Sequence, residues 1–418
     1  MHLRFLGGCR EVGRSAVALK YGDKQILLDY GVMFNHEIGF PVHMPPKDLD
    51  AILLSHAHLD HSGLLPLFYL RKRIPLYGVE PTFNFVECLI EDFLRLSGYY
   101  LPYEFLDLQT MIKQCVAVPY KKEIQIGQVK AEFLNAGHIP GSAQILIEIG
   151  GKRILYTGDF NPVATRLVDG AEHAFDDLDV LIIESTYWNQ EHPERSEVEK
   201  EFVARVTEII DNNGIVLVPA FGIGRSQEII SILSAYDFDY PVFVDGMALS
   251  GIEILLRHPE SLRDPLLFKK AVKNATWIKK WPDRRKAVKT PSVIVSPAGM
   301  LKGGAAVFYM DSIAKRKNNA VFLVSFQIPG TPGSILLEKK KFSVHGRIRK
   351  VEAAVEKFDF TSHGGSSELK NILADLGENT KVFTMHGEEK NCVQFASWVS
   401  KNLKLKAIAP KAGDAYQI

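Results

Sequence analysis

Within six residues, His56-Ala57-His58-Leu59-Asp60-His61, the chain places three imidazoles and a carboxylate directly after the apolar run Ala51–Ser55. Neutral imidazole and carboxylate are ligands for zinc and kindred divalent ions. With 13 histidines in 418 residues, three of them beside an acid in six positions is not chance crowding. One short loop cannot wrap all four side chains onto a single tetrahedral ion. Alternate residues of an extended segment project to the same side, so His56 and His58 can share one ion while Asp60 and His61 face a second. Such a site needs further ligands. His138 in NAGHIPGS, Asp159 in YTGDF and His386 in TMHGEE each follow an apolar run that reads as a strand. Alone, each reads as a structural or surface residue. Together they lie at strand ends that one cleft can collect.

The elements that must hold them are short strands. Lys24–Asp29, Ala51–Ser55 and Val180–Ile183 are apolar runs that end in polar residues, the last in Glu184. Ala143–Ile149 and Lys152–Thr157 flank Gly150-Gly151, a two-residue hairpin signal. The texture changes near the charged stretch Glu191–Lys200. Ile215–Val218 then leads through PAFGIGR to a helical pattern, Ser226–Leu233, and Val242–Val244 leads to another, Ser250–Leu256. Val293–Val295 and Val321–Ser325 also run into Gly-bearing loops. That rhythm predicts a small parallel α/β unit. From about Phe342 the strand-rich texture returns, Lys381–Met385 ends at His386, and Cys392–Leu403 reads as a last helix. One α/β domain is thus expected inside another, with residues 1–194 and 338–418 forming the outer domain and 195–337 the insertion.

Composition narrows the class. Hydrophobic residues make up 46% of the chain, enough for real cores, so disorder and disulfide scaffolds are excluded. Lys+Arg is 50 and Asp+Glu 49, a net charge of +1, so nucleic acid could be drawn only by a local basic channel. No run approaches the roughly 20 apolar residues of a membrane helix. Met1–Gly13 lacks a signal-peptide pattern and reads as a first strand. Cys9, Cys88, Cys115 and Cys392 are scattered, as reduced thiols of a cytoplasmic protein would be. Basic residues gather in three places: Lys279, Lys280, Arg284, Arg285 and Lys286 around Trp277 and Trp281; Lys315–Lys317; and Lys339–Lys341 with Arg347, Arg349 and Lys350. Cations beside aromatics suit single-stranded RNA.

The HAHLDH run, with Asp29 before it and His138 and Asp159 after it, resembles the motifs of the metallo-β-lactamase superfamily. Glu184 in ESTY, His363 in TSHGG and His386 in MHGEE resemble the three further motifs of its β-CASP nucleases. The opening FLGGCREVGRSAV is similar to that of archaeal cleavage-and-polyadenylation-specificity-factor-like and RNase J-like members. No KH module is expected before it, since the chain starts at its first strand. The resemblance covers nearly the whole chain. It implies an α/β fold: an αββα sandwich with an inserted β-CASP domain built on a small parallel sheet. It implies two zinc ions, with manganese as a substitute. His56, His58 and His138 would hold the first and Asp60, His61 and His386 the second, with Asp159 between them. Asp29 would orient a ligand histidine. Two ions about 3.5–4 Å apart can share a hydroxide formed near neutral pH and offset the charge that builds on a phosphodiester. His363 would give the leaving 3′ oxygen its proton, with Glu184 keeping that imidazole charged.

The Gly-bearing turns offer phosphate cradles: Arg225 and Ser226 at a helix start, and, as the resemblance implies, Ser296, Gly299, Gly330 and Thr331 along a nucleic-acid path. Lys279 and Lys280 join them as backbone contacts. The expectation is a cytoplasmic ribonuclease acting on single-stranded RNA, first as a 5′→3′ exonuclease and also as an endonuclease; a homodimer is one assembly open to it, and the sequence does not fix the oligomeric state. The alternatives are an endonuclease of 3′-end processing or transcription termination, a small-molecule metallo-hydrolase, and an inactive RNA-binding subunit. The large insertion, Glu184 and His363 weigh against the hydrolase, and the full ligand set weighs against the inactive subunit.

Overall fold

The computed structural model describes residues 1–34, 38–97, 101–344 and 347–418, which divide into two compact units. The first comprises 1–164, 169–191 and 362–418; the second comprises 165–168 and 192–361. In this division into compact units the second runs on to Thr361. The reason is local: the hairpin Lys341–Val344 with Arg347–Lys350 leads into Ala354–Lys357, which pairs in parallel with Ala320–Leu323 of the second unit's sheet. Strand texture continues there without a change of domain. The short segment 165–168 also belongs to the second unit, where the Arg166 amide donates to Glu228 and the Arg263 amide to the Leu167 carbonyl.

The first unit is built on two seven-stranded sheets. One runs in the order Ala415–Gln417, His2–Gly7, Ala16–Tyr21, Lys24–Leu28, Ala51–Leu53, Leu76–Gly78, Cys115–Ala117. The other runs Lys406–Ile408, Lys381–Met385, Val180–Glu184, Lys152–Tyr156, Ala143–Ile149, Val129–Asn135, Glu123–Ile126. Period-two alternation makes each sheet apolar on its inner face. Leu3, Phe5, Val17 and Leu28 of one sheet join Phe133, Ile145, Ile182 and Phe383 of the other in one buried core. The opposite face of the second sheet, through Leu155, Leu181, Ile183 and Val382, packs on Leu369, Phe395 and Val399 of the helical segments outside it. These layers are the αββα sandwich. The hairpin between Ala143–Ile149 and Lys152–Tyr156 turns at Gly150 and Gly151, with φ of 58° and 72°, a conformation that favours glycine at both places.

The second unit has six parallel strands in the order Ala275–Ile278, Val242–Asp245, Ser292–Ser296, Ile215–Pro219, Ala320–Leu323, Ala354–Lys357. Its strands are nearly continuous apolar runs because both faces are covered. The helices run one to three residues beyond the apolar patterns that announce them, at Arg225–Ala235 and Met247–Arg257. Cys392–Leu403 is divided into an α-helix, Glu389–Trp398, and a π-turn, Val399–Leu403. No described helix is long and apolar enough to cross a membrane.

One close approach fixes the histidine loop. The chain leaves Lys24–Leu28 and lies along residues 59–61: the Tyr30 amide donates to the His61 carbonyl at 2.8 Å, the Val32 amide to Leu59 at 2.9 Å, and the Ser15 amide to Asp60 at 2.8 Å. A Cβ on Gly31 would sit 1.8 Å from the Asp60 carbonyl oxygen and 2.4 Å from the His61 nitrogen. Gly31→Ala should therefore push the loop aside, at a cost of about 1–3 kcal/mol or more. We expect a lower denaturation midpoint together with weaker metal retention. An alanine variant with the wild-type midpoint would show that the loop is not held by this contact.

Candidate metal centre

Every candidate ligand stands just past a strand end of the first unit. His56 and His58 follow Ala51–Leu53, His138 follows Val129–Asn135, Asp159 follows Lys152–Tyr156, and His386 follows Lys381–Met385. The histidine loop is extended only to His58. Leu59–Ser62 is a helical turn, and that turn, not continued strand alternation, brings Asp60 and His61 round. Within this site, Asp29 at φ 54° and His386 at φ 48° adopt the left-handed conformation that non-glycine residues rarely take.

Two sets of ligand atoms result, each set within 4.8 Å: His56, His58, His138 and Asp159; and Asp60, His61, Asp159 and His386. Asp159 belongs to both. Its Oδ2 lies 3.5 Å from His56 Nε2 and 3.6 Å from His138 Nε2, and its Oδ1 lies 3.2 Å from His61 Nε2 and from His386 Nδ1. Asp60 Oδ2 lies 3.3 Å from His386 Nε2.

The outer hydrogen bonds settle which ring nitrogens carry protons. His61 Nδ1 donates to Asp29 Oδ2 at 2.7 Å, and His138 Nδ1 donates to the Ser362 carbonyl at 2.8 Å. The Ser55 hydroxyl gives its proton to Asp29 at 2.6 Å and so accepts from His56 Nδ1 at 3.1 Å. With Nδ1 engaged on the outer side, the Nε2 atoms of His56, His61 and His138 are turned toward the Asp159 carboxylate. His56 Nε2 and Asp159 Oδ1 are buried and have no hydrogen-bond partner. His138 Nε2 and His58 Nδ1 are 3.0 Å apart beside that buried carboxylate, a crowding of ligand atoms that a cation would stabilise. The donor set fits divalent metal, and the cluster can bind metal ions.

Proton affinities agree. Burial, reinforced by neighbouring imidazoles, pushes His56 well below the usual imidazole range. Burial likewise lowers His58 and His138. Burial opposes charge on Asp159, yet His386 and His61 hold it well below the usual carboxylate range. His61 and His386 are raised despite burial, chiefly by Asp159, so an ion entering there displaces protons.

Asp29 is in neither ligand set but hydrogen-bonds a member of one, His61. It is fully buried and saturated: Oδ1 accepts from the Ser55 amide at 2.7 Å, and Oδ2 accepts from the Ser55 hydroxyl, His61 Nδ1 and the Tyr156 hydroxyl at 2.8 Å. Ser55, Tyr156, Thr186 (its hydroxyl 3.2 Å from His386 Nδ1) and the Ser362 carbonyl were not singled out from the sequence. All four sit one to three residues from a motif residue, which is the signal that could have found them.

Glu184 and His363 form a third group with Asp159. Glu184 Oε1 accepts from His363 Nδ1 at 2.8 Å and from the Phe160 amide at 2.7 Å. The His363 ring centroid is 4.6 Å from that of His138. Burial disfavours the His363 cation, but Glu184 outweighs burial and holds this imidazole up at about 9.

The expected phosphate cradles fare differently. Ser226 and Ser296 are buried, and their hydroxyls donate to the Phe221 and Pro297 carbonyls at 2.7 and 3.0 Å. Thr331 is buried and caps the helix Pro332–Lys339, and Gly299 lies against the Ala220–Phe221 backbone. The three hydroxyls are thus used within their own turns. Gly330 is open, and Arg225 starts its helix with a partly buried side chain. Lys279 and Lys280 are exposed, whereas Arg284 is committed to Asp245. The Arg347 side chain lies outside the described residues.

Comparison with known proteins matches residues 10–186 to the metallo-beta-lactamase superfamily, 226–336 to the Beta-Casp domain, and 348–410 to the Zn-dependent metallo-hydrolase RNA specificity domain. The chain is 41% identical to RNase aCSPSF2 of Saccharolobus solfataricus, over 98% of this chain and 84% of that protein. It is 35% identical to the Probable RNase MJ4 of Methanocaldococcus jannaschii, over the full length of both. It is 32% identical to the transcription termination factor FttA of the same organism, over 100% of this chain and 72% of that protein. A crystal structure of a protein of unknown function from Enterococcus faecalis shares the fold, with a TM-score of 0.65, 15% identity and 99% coverage of both chains.

Asp29→Asn should keep the fold but mispair His61, since an amide cannot accept from all four donors. We expect divalent affinity to fall about 10- to 100-fold in a competitive chelator titration. Wild-type affinity would contradict the orienting role.

Proposed function

This chain belongs to the β-CASP ribonuclease family of the metallo-β-lactamase superfamily and is a metal-dependent ribonuclease, and from that premise we propose that it holds two zinc ions and hydrolyses single-stranded RNA in the cytoplasm. The observation that carries the reading is Asp159, whose two carboxylate oxygens face two separate sets of imidazoles. His56, His58 and His138 would hold one ion and Asp60, His61 and His386 the other, with manganese as a substitute. When bound, the pair supplies Lewis acidity that makes water nucleophilic near neutral pH and offsets charge on the phosphoryl oxygens.

The chain's own groups do the rest. Asp29 and the Ser362 carbonyl fix His61 and His138 in the tautomer that turns Nε2 inward. Asp159 holds the two ligand sets in register. Glu184, anchored by the Phe160 amide, keeps His363 protonated at neutral pH through Nδ1. That leaves His363 Nε2–H to protonate the 3′ oxygen as the bond to the 5′-phosphate product breaks. The four cysteines form no disulfide, which suits a reducing compartment.

We carry 5′→3′ exonucleolysis as the first mode. Internal cleavage in transcription termination is the second reading, favoured by the match to the termination factors. RNA labelled at either end, with a 5′-triphosphate, monophosphate or hydroxyl, separates the two. Progressive release of 5′-end nucleotides supports the first mode, and discrete internal fragments from both labels support the second. His363→Ala should lower cleavage about 10²- to 10⁴-fold with metal content unchanged. Wild-type cleavage by that variant removes His363 from the proton transfer.

A further inference from the structure

The second unit displays a tryptophan that is both exposed and rigidly held. Trp281 opens the helix Trp281–Ala287 and is 56% exposed. Pro282 follows it in the first turn and fixes the backbone there. The Phe308 ring meets the indole at 5.2 Å in a T-shaped contact, and the Arg284 guanidinium lies over the indole at 4.9 Å. Arg284 is itself anchored: Nε and Nη2 donate to the two oxygens of Asp245 at 2.7 and 3.0 Å. Asp245 is 1% exposed and also accepts from the Tyr309 hydroxyl at 2.7 Å and the Gly246 amide at 2.6 Å. A buried carboxylate thus braces an arginine, and the arginine braces an aromatic plane that stays open to solvent.

The surroundings are cationic. Six basic residues and one acid, Asp283, lie between Lys279 and Lys289. Asp245 neutralises Arg284, and Asp283 accepts from the Lys279 and Lys280 amides at 3.2 and 3.0 Å. Lys279, Lys280, Arg285, Lys286 and Lys289 remain exposed. With a net charge of +1 for the whole chain, this positive excess is local. A solvated charged helix needs no braced indole, and a tryptophan serving only the core would not be half open. A polyanion carrying aromatic rings satisfies both features, because its phosphates meet the cations and a base meets the indole. Fixing the indole beforehand removes much of the ordering cost of that contact.

We propose that Trp281 is a stacking platform for a base of single-stranded RNA, with Lys279, Lys280, Arg285 and Lys286 on the adjoining phosphates. The proposal rests on the reading of the chain as a ribonuclease and adds an RNA contact on the second unit.

The test is fluorescence anisotropy of the full chain in a chelator, which stops cleavage. Oligoadenylate is compared with an abasic ribose-phosphate oligomer of equal length and charge. Wild type should prefer oligoadenylate. Trp281→Leu should weaken oligoadenylate binding about 5- to 150-fold and leave the abasic oligomer unaffected, and Trp281→Phe should restore most of the loss. Equal losses on both oligomers, or an undiminished preference in Trp281→Leu, overturn the proposal. So does displacement of neither oligomer's signal by Trp281→Leu while polyglutamate competes at wild-type strength, which would make the patch a site for acidic protein. A wild type that binds RNA but does not cleave it when zinc is restored sinks the nuclease reading alone. A wild type that binds neither oligomer sinks both.

Discussion

Imidazoles and carboxylates crowded together in the interior are the constraint on which this structure turns. Three imidazole Nε2 atoms, each turned inward by the hydrogen bond on the far side of its ring, face a carboxylate that is itself buried. Desolvating such groups without a partner is costly, and repulsion among them adds to the cost. A protein tolerates the arrangement because cations offset it. The same electrostatics lets the cluster bind metal ions.

The sandwich explains how sequence-distant residues reach one point. Strand ends of both sheets carry the ligands, and the core shared by the sheets fixes those ends relative to one another. The left-handed turns at Asp29 and His386 bring side chains inward where the chain would otherwise run on. Their cost is met locally: the Asp29 carboxylate takes four donors, and the His386 amide donates to the Gly8 carbonyl at 2.6 Å. Glu184 belongs to the same design. It ends a central strand, is anchored by a neighbouring amide, and keeps the charge on His363.

Much of this was legible in the residues. Ligand chemistry concentrates in a few side-chain types, so HAHLDH, His138, Asp159 and His386 stand out before any fold is known. Apolar runs ending in those residues located the strands to within one or two positions. The helical turn at Leu59–Ser62 was not legible, because four residues carry no periodicity. Which sheet the segment after 338 joins was not legible, because the hairpin near Phe342 and the strand Ala354–Lys357 look alike in sequence whichever sheet they join. Ser226, Ser296 and Thr331 show the limit most clearly. A hydroxyl in a Gly-bearing turn reads the same whether it faces a ligand or closes its own turn, and only burial and partners decide between the two.

Anomalous diffraction at the zinc edge, from crystals of the zinc-loaded chain, tests the central claim most directly. The account predicts two peaks, one among His56, His58, His138 and Asp159 and the other among Asp60, His61, Asp159 and His386. A single peak, or peaks away from Asp159, would contradict it.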